Sequence, residues 1–506
     1  MTTIYRDLFT ENIDTDALTK KEILLNIPKS NKMSLYKQFA SPVPKKGIVE
    51  SFIEITKKQR IGKDHLLYID YQNKYGNGLS ENLCVPYLDT ENQCITDIIL
   101  VNHPQDAERI AGTHIQKMPN FLQLLHDGVI STTDNKHWKR QRMDLIGAFT
   151  PMELNKILPI SHERAKKCSS LLWTISNNGE NKVNMSEFFL NETQAQLQLA
   201  LYGMTDEFQE ETNSKIRKAF GGGGERGYVR EFALRFLEEA KSSVGPLAIA
   251  LTEREAETQT EAYGNALLFT FAGHDTTGHT LTWLLYELSK NTTLQIKLQR
   301  EIDYFWLEQG DTPIHTRDFK RLPFLTRCIM ETLRLWTAVP NGTFRQLIHE
   351  DTLQGLNGPV KVPAGTYVQI MNYSRHRNTE LWGDDANEFN PEREFKEGEV
   401  WEDTGHAFYN PASDRFSPFT FPPRDCIGKN FAQIEMRLML LYLFKDYNFV
   451  LTEEQSKRSF NYEGINRATL SPPDIYDPIN KNNKGFRPIN AGMYVYVIPR
   501  KLKGKL

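Results

Sequence analysis

The sequence predicts a mainly α-helical protein with small β-sheets, organised as one large domain around a long central helix. Helical periodicity dominates between about residues 105 and 340. Short strand-like runs stand outside that region: "LLYIDYQ" and "CITDIILV" before it, "VKVPAGTYVQIMNY" and "GMYVYVIPR" after it. One segment, "ALLFTFAGHDTTGHTLTWLLYELSK" from Ala266 to Lys290, is apolar on nearly every side, which places it at the molecule's centre. No repeat period and no low-complexity linker divides the 506 residues.

An apolar fraction of 39% with 25% charged residues is ordinary for a globular protein, and a net charge of −3 gives no case for nucleic-acid binding. The cysteines Cys84, Cys94, Cys168, Cys328 and Cys426 are dispersed, with no C-x-x-C pair. That pattern argues for a reducing, intracellular compartment and against a disulfide framework or a structural zinc site. Residues 1–64 are expected to be an N-terminal segment without a transmembrane helix, because charges interrupt every apolar run. The expected location is cytoplasmic, or the cytoplasmic face of a membrane if an anchor has been removed. Residues 65–506 are expected to form the single domain. Gly221 to Gly224 read as a connector between two helices, either native or engineered.

Inside the central segment stand Gly273, Asp275, Thr276 and Thr277, poor helix formers for such a depth. Gly273 is expected to open the backbone, and the threonine hydroxyls to compete for carbonyls of the preceding turn and bend the helix. The segment is either a helix with a tolerated polar kink or a device that delivers an acid and an alcohol into an apolar cavity as proton donors. His274 and His279 lie on different helix faces and do not make a metal pair.

Glu331 and Arg334 in "CIMETLRLW" share a helical face and can pair. Arg393 in "FNPEREF", on a proline-fixed loop, can join them in a structural network. "HWKRQRM" sets Trp138 and Arg142 on one face, which suits a carboxylate or phosphate group or a solvated basic helix. Arg345 in "NGTFRQL" and Arg424 are further arginines wanting anionic partners. The lone cysteine of "FTFPPRDCIGKNFAQIE" precedes Phe431, Ile434, Leu438, Leu441 and Tyr442, a stripe at helical spacing. Cys426 therefore lies at or just before a helix N-terminus, where the macrodipole and free N–H groups are expected to lower its pKa. With no second cysteine or histidine at ligand spacing, one thiolate suits a cofactor that brings its other ligands, such as a porphyrin.

Together these motifs resemble the cytochrome P-450 superfamily of haem-thiolate monooxygenases, over about residues 65 to 500. The Trp138/Arg142 helix, "AGHDTT" at 272–277, "ETLR" at 331–334 with "PER" at 391–393, and the cysteine loop stand in the family's order. The resemblance implies haem b as cofactor, with Cys426 as the proximal thiolate ligand of its iron. It places Trp138, Arg142, Arg345 and Arg424 at the haem propionates, Phe419 near the thiolate and Ala272 over the distal haem face. It gives Asp275 and Thr276 the delivery of protons to dioxygen, and Glu331, Arg334 and Arg393 the family's structural network. One position departs: Pro422, followed by Pro423, stands where the family usually has glycine. Proline fixes φ and removes a donor, so the loop's path and its N–H bonds toward sulfur do not carry over.

The implied reaction inserts one atom of dioxygen into an apolar organic substrate and reduces the other to water. No flavin or iron–sulfur segment is present, so electrons from NAD(P)H would arrive through a separate reductase or ferredoxin. That partner would dock on the thiolate side, where Lys139, Arg140 and Lys429 could attract an acidic surface. A same-fold peroxygenase or isomerase, and a non-catalytic haem sensor or gas-binding protein, are the rival readings; the Asp275–Thr276 pair argues against the first. Expected pocket walls are Met118, Phe121 and Leu125 before Trp138, Leu268 and Phe271 on the central helix, and Val339 with Pro340. They favour a lipid, sterol or terpenoid. The glycine connector falls in the family's access-lid region, as a short mobile lid if native or the replacement of a longer segment if engineered.

Overall fold

The computed structural model describes residues 33–60, 64–89, 94–220, 226–252, 256–401, 410–457 and 492–500. Residues 1–32 of the N-terminal segment and the glycine connector at 221–224 lie outside the described residues.

Helices α1 (Ile48–Arg60) and α2 (Asp64–Tyr75) lead into the antiparallel strands β1 (Leu83–Asp89) and β2 (Cys94–Val101). The helical region follows with α3 (Pro104–Thr113), α4 (Asn135–Ile146), α5 (Pro151–Ile175), α6 (Met185–Gln196), α7 (Asp206–Phe220) and α8 (Arg226–Ala240). It continues through α9 (Gln259–Lys290), α10 (Thr292–Gln309) and α11 (Pro323–Leu335). Strands β3 (Thr343–Gln346) and β4 (Tyr367–Ile370) then return to the first sheet, in the order β1-β2-β4-β3 with β2 and β4 parallel. Helix α12 (Lys429–Asp446) runs directly into β5 (Tyr447–Leu451), which pairs with β6 (Tyr494–Pro499). One sheet thus ties the two ends of the helical region together.

The largest apolar core reaches from Leu125 to Val497 and includes much of α9, which is buried along most of its length. Helix α9 is continuous from Gln259 to Lys290, so Gly273 does not interrupt it as the sequence led us to expect. The glycines serve close packing against α6 and the turn after it instead. A Cβ at Gly278 would stand 3.1 Å from the Leu190 Cα, and one at Gly273 would stand 2.8 Å from a Leu197 methyl. The threonine hydroxyls do bond to carbonyls one turn back, Thr276 to Ala272 at 3.1 Å and Thr280 to Thr276 at 2.8 Å, without breaking the ladder.

Two strand expectations are corrected. "LLYIDYQ" forms the middle of α2, where Leu67, Tyr68 and Tyr71 are buried together while Asp70 is exposed, a helical and not an alternating pattern. The run at 360–373 splits at its Pro-Ala-Gly turn into the end of a hairpin strand, Gly358–Val362, and β4. Strand β1 contains Pro86, tolerated because β1 lies at the sheet's edge.

Candidate cofactor and active site

The cysteine loop enters α12 through Gly428, the residue capping its first turn, so Cys426 stands two positions ahead of the cap. The backbone N–H of Cys426 donates to the Phe419 carbonyl at 3.0 Å. Burial pushes the Cys426 thiol up; Lys429 and the Gly428 N–H, which bonds toward the sulfur, pull it down without prevailing. The expected lowering by the helix start is therefore outweighed by desolvation. Cys426 is nevertheless accessible. Phe419 packs beside the loop, its ring 5.7 Å from that of Trp401. The Pro422–Pro423 peptide is cis.

Arg142 lies close enough to Arg424 to act on its charge, and is itself paired. Its guanidinium donates to the Asp425 carbonyl at 2.8 Å and to Asp425 Oδ1 at 2.6 Å, fastening α4 to the cysteine loop. Lys429 holds the other oxygen of Asp425 at 2.8 Å. Arg140 is likewise engaged internally, by Glu261, Glu257 and Asp144. Of the three cations expected to meet a redox partner, only Lys139 is exposed.

Arg345, Arg424 and a residue that sequence reasoning missed, Lys117, form a buried cationic set. Thr343 Oγ1 accepts from Lys117 Nζ at 2.9 Å and from Arg345 Nη1 at 2.7 Å. Arg424 lies 4.3 Å over the Trp138 ring and donates one hydrogen bond, to Asn135 Oδ1 at 3.1 Å. Nε and Nη2 of Arg345, with Nε and Nη1 of Arg424, are buried without a partner among the described residues. Burial pushes the Arg345 guanidinium down to about 10. Burial, then Arg345 and Arg142, push that of Arg424 down to about 9. Burial, then Arg345 and Arg424, lower the Lys117 ammonium well below its usual range. Buried cations of this kind require anions. Lys117 carried no motif; its sole sequence signal is one lysine within "IQKMPNF".

On α9, Ala272 and Thr276 are only partly buried in an otherwise buried stretch, and their spacing sets them on one face. Asp275 is buried, with Oδ1 3.6 Å from His279 Nε2 one turn on. The apolar wall residues fall into two clusters. Met118 and Phe121 pack with Phe344 and Met371, whereas Leu125, Leu268 and Phe271 belong to the main core. Pro340 is buried and Val339 partly so.

Away from these groups, Glu331, Arg334 and Arg393 meet in a buried network. Arg334 grips both oxygens of Glu331 at 2.7 Å and donates to the carbonyls of His376 and Ala386. Arg393 Nε reaches Glu331 Oε1 at 3.3 Å and its Nη1 reaches Asp385 at 2.6 Å. The network locks the segment after β4, from His376 to Arg393, against α11.

A thiol at a helix start, beside buried cations that lack anions among the described residues, suits the class of proteins that hold an anionic cofactor through sulfur. The family model of Cytochrome P450 matches residues 188–476, more than half of the sequence, and the chain belongs to that family. Similar proteins include the putative cytochrome P450 CYP13A2 of Caenorhabditis elegans, 33% identical over 43% of this chain and 38% of that protein. A chloroplastic carotene epsilon-monooxygenase of Arabidopsis thaliana is 34% identical over 44% of this chain and 38% of its own length. Cytochrome P450 52-M1 of Starmerella bombicola is 31% identical over 45% and 41%. The chain thus spans under half the length of the curated relatives it matches. The family's cofactor is haem, and the residues fit it: the unpartnered N–H groups of Arg345 and Arg424 are suited to its two carboxylates. No helix among the described residues is long and apolar enough to cross a membrane.

Proposed function

We propose that the protein is a haem-thiolate monooxygenase acting on an apolar organic substrate of the lipid, sterol or terpenoid class, with electrons from a separate redox partner. The observation that carries this reading is the buried set Lys117, Arg345 and Arg424, short of anions, near the helix that holds Trp138. Cys426 would ligate the iron, and Lys117, Trp138, Arg345 and Arg424 would hold the propionates. Arg142 contributes one step removed, by holding Asp425 and so the loop. Bound haem b supplies the redox chemistry that activates dioxygen.

The chain's own residues supply binding, dryness and protons. Met118, Phe121, Leu125, Leu268, Phe271, Val339 and Pro340 are apolar walls that orient a substrate and exclude water. Ala272 would leave room on the partly buried face of α9 that it shares with Thr276. Thr276 Oγ1 donates to the Ala272 carbonyl, and its hydroxyl would hold and pass a proton on that face, with Asp275 as the acid beside it. One oxygen atom enters a C–H bond and the other leaves as water with two protons and two electrons. Exposed Lys139, with Met143 beside it at 65% exposure, offers a face to an acidic reductase or ferredoxin carrying electrons from NAD(P)H. The carotene named for the Arabidopsis relative accords with an apolar substrate.

The test is the optical spectrum of the reduced, carbon-monoxide-bound protein. A thiolate-type spectrum in the wild type and its loss in Cys426→His are expected, and a histidine-type wild-type spectrum overturns the assignment. Turnover with hydrogen peroxide but not with dioxygen and a reductase would refute the monooxygenase step. A screen of lipids and sterols for substrate-induced spectral shifts identifies the substrate class.

A further inference from the structure

Helix α12 carries an acid that the proposed chemistry does not use. Glu435 lies nine residues beyond Cys426 and is 0% exposed. Neither of its carboxyl oxygens has a hydrogen-bond partner among the described residues. Other deeply buried glutamates are satisfied: Glu331 by Arg334, Glu192 by Arg164, Glu399 by Arg415, and Glu287 by the Trp336 indole N–H. A carboxylate without cation or donor at such depth is far less stable than the neutral acid. Burial raises the pKa of Glu435 well above the usual range, opposed only by the Thr277 hydroxyl. Thr277 follows Asp275 and Thr276 on α9, and α9 packs against α12.

We propose that Glu435 is a protonated carboxylic acid whose O–H bonds to the Thr277 hydroxyl, directly or through one buried water, and fixes residues 275–277 of α9 relative to the cysteine helix. The acid form offers a donor and an acceptor side by side and needs no counter-ion, which suits a site where no cation among the described residues acts on the carboxyl group. Glu435 is a positioning residue: it acts through Thr277 on the turn that holds Thr276. Only its consequence, tight coupling of dioxygen use to product, rests on the monooxygenase reading.

Infrared difference spectra of the haem-loaded protein at neutral pH, wild type minus Glu435→Gln, read the C=O stretch of a protonated carboxyl group. A band lost in Glu435→Gln and moved in Thr277→Val, which removes the partner and leaves the acid, is the expected result. No band at neutral pH, or an unmoved band in Thr277→Val, overturns the proposal. With a reductase, Glu435→Leu should release a several-fold larger share of the electrons as hydrogen peroxide, and Glu435→Gln, which keeps a donor, should recover coupling. Wild-type coupling in Glu435→Leu would refute the positioning role. A band that behaves as expected in a protein that makes no product with any reductase would sink the monooxygenase reading and leave the Glu435–Thr277 link standing.

Discussion

Replacing Lys117 with methionine should act in opposite directions on the apoprotein and on the haem-loaded protein. Lys117 is 6% exposed, and the charged groups that bear on it, Arg345 and Arg424, have its own sign. In the apoprotein its charge is therefore desolvated and repelled. Exchanging such a charge for an apolar residue of similar volume is neutral to stabilising, by up to about 4 kcal/mol. The lost hydrogen bond to Thr343 costs about 1 kcal/mol. Thr343 Oγ1 keeps its bond from Arg345 at 2.7 Å, so no acceptor is orphaned. The net expectation is an apoprotein more stable by about 0–3 kcal/mol. Haem loading, in contrast, forfeits a charge-assisted bond to a carboxylate worth about 1.5–3 kcal/mol, roughly a tenfold to hundredfold weaker affinity. Urea unfolding of the apoprotein measures the first effect, and haem transfer to an acceptor apoprotein measures the second. An apoprotein destabilised by more than about 1 kcal/mol with unchanged haem transfer would refute the reasoning and make Lys117 a structural residue.

The Glu331 network joins one buried carboxylate to two buried guanidinium groups. Glu331→Ala leaves Arg334 and Arg393 buried without their carboxylate and should cost about 3–5 kcal/mol, seen as a lower urea midpoint at unchanged m; a loss under about 1 kcal/mol contradicts it. His376, wholly buried, accepts from the Ser417 N–H at 3.0 Å, and burial, then Arg375, Arg334 and Arg377, hold its imidazole well below the ordinary 6.5. Because the folded pKa lies below the unfolded one, its contribution is complete above pH 6.5 and is lost as the pH falls, at up to about 1.4 kcal/mol per pH unit. Unfolding curves across that range should show this slope in the wild type and a shallower one in His376→Gln.

Much of this architecture is legible in the sequence where one element carries the signal. The apolar run of α9, the stripe of α12 and the Glu331–Arg334 spacing are local patterns, and each is a buried element of the expected kind. Legibility fails where burial decides. "LLYIDYQ" is rich in residues that suit a strand, and only its packing face reveals a helix. Lys117 is indistinguishable from a solvated lysine until β3 brings Arg345 and Thr343 against it. Arg142 is on the helix face it shares with Trp138, yet Asp425, far along the chain, takes its guanidinium. The cysteine's acidity misled for the same reason: a helix start is visible in sequence, the desolvation that outweighs it is not.

Pro422 is the residue where family resemblance and this chain part, and in this loop the left-handed position is Thr420. The sulfur's N–H donor is Gly428, and the Cys426 N–H bonds to Phe419, so neither bond needs a donor at 422. Thr420 is left-handed, at φ 58, a conformation that favours glycine. A β-branched residue there is strained by about 1–2 kcal/mol. Its hydroxyl is also buried without a partner among the described residues, while its carbonyl accepts from Asn410 at 2.8 Å. Thr420→Gly relieves both costs and keeps that carbonyl. Glycine's larger unfolded-state entropy returns about 0.5–1 kcal/mol, leaving the variant more stable by up to about 1 kcal/mol. The measurement is the urea midpoint of the apoprotein beside that of Thr420→Ala, which removes the hydroxyl and retains the backbone strain. Glycine above alanine and above the wild type is the expected order. If glycine falls below the wild type, the left-handed turn at Thr420 is not a site of strain in this loop.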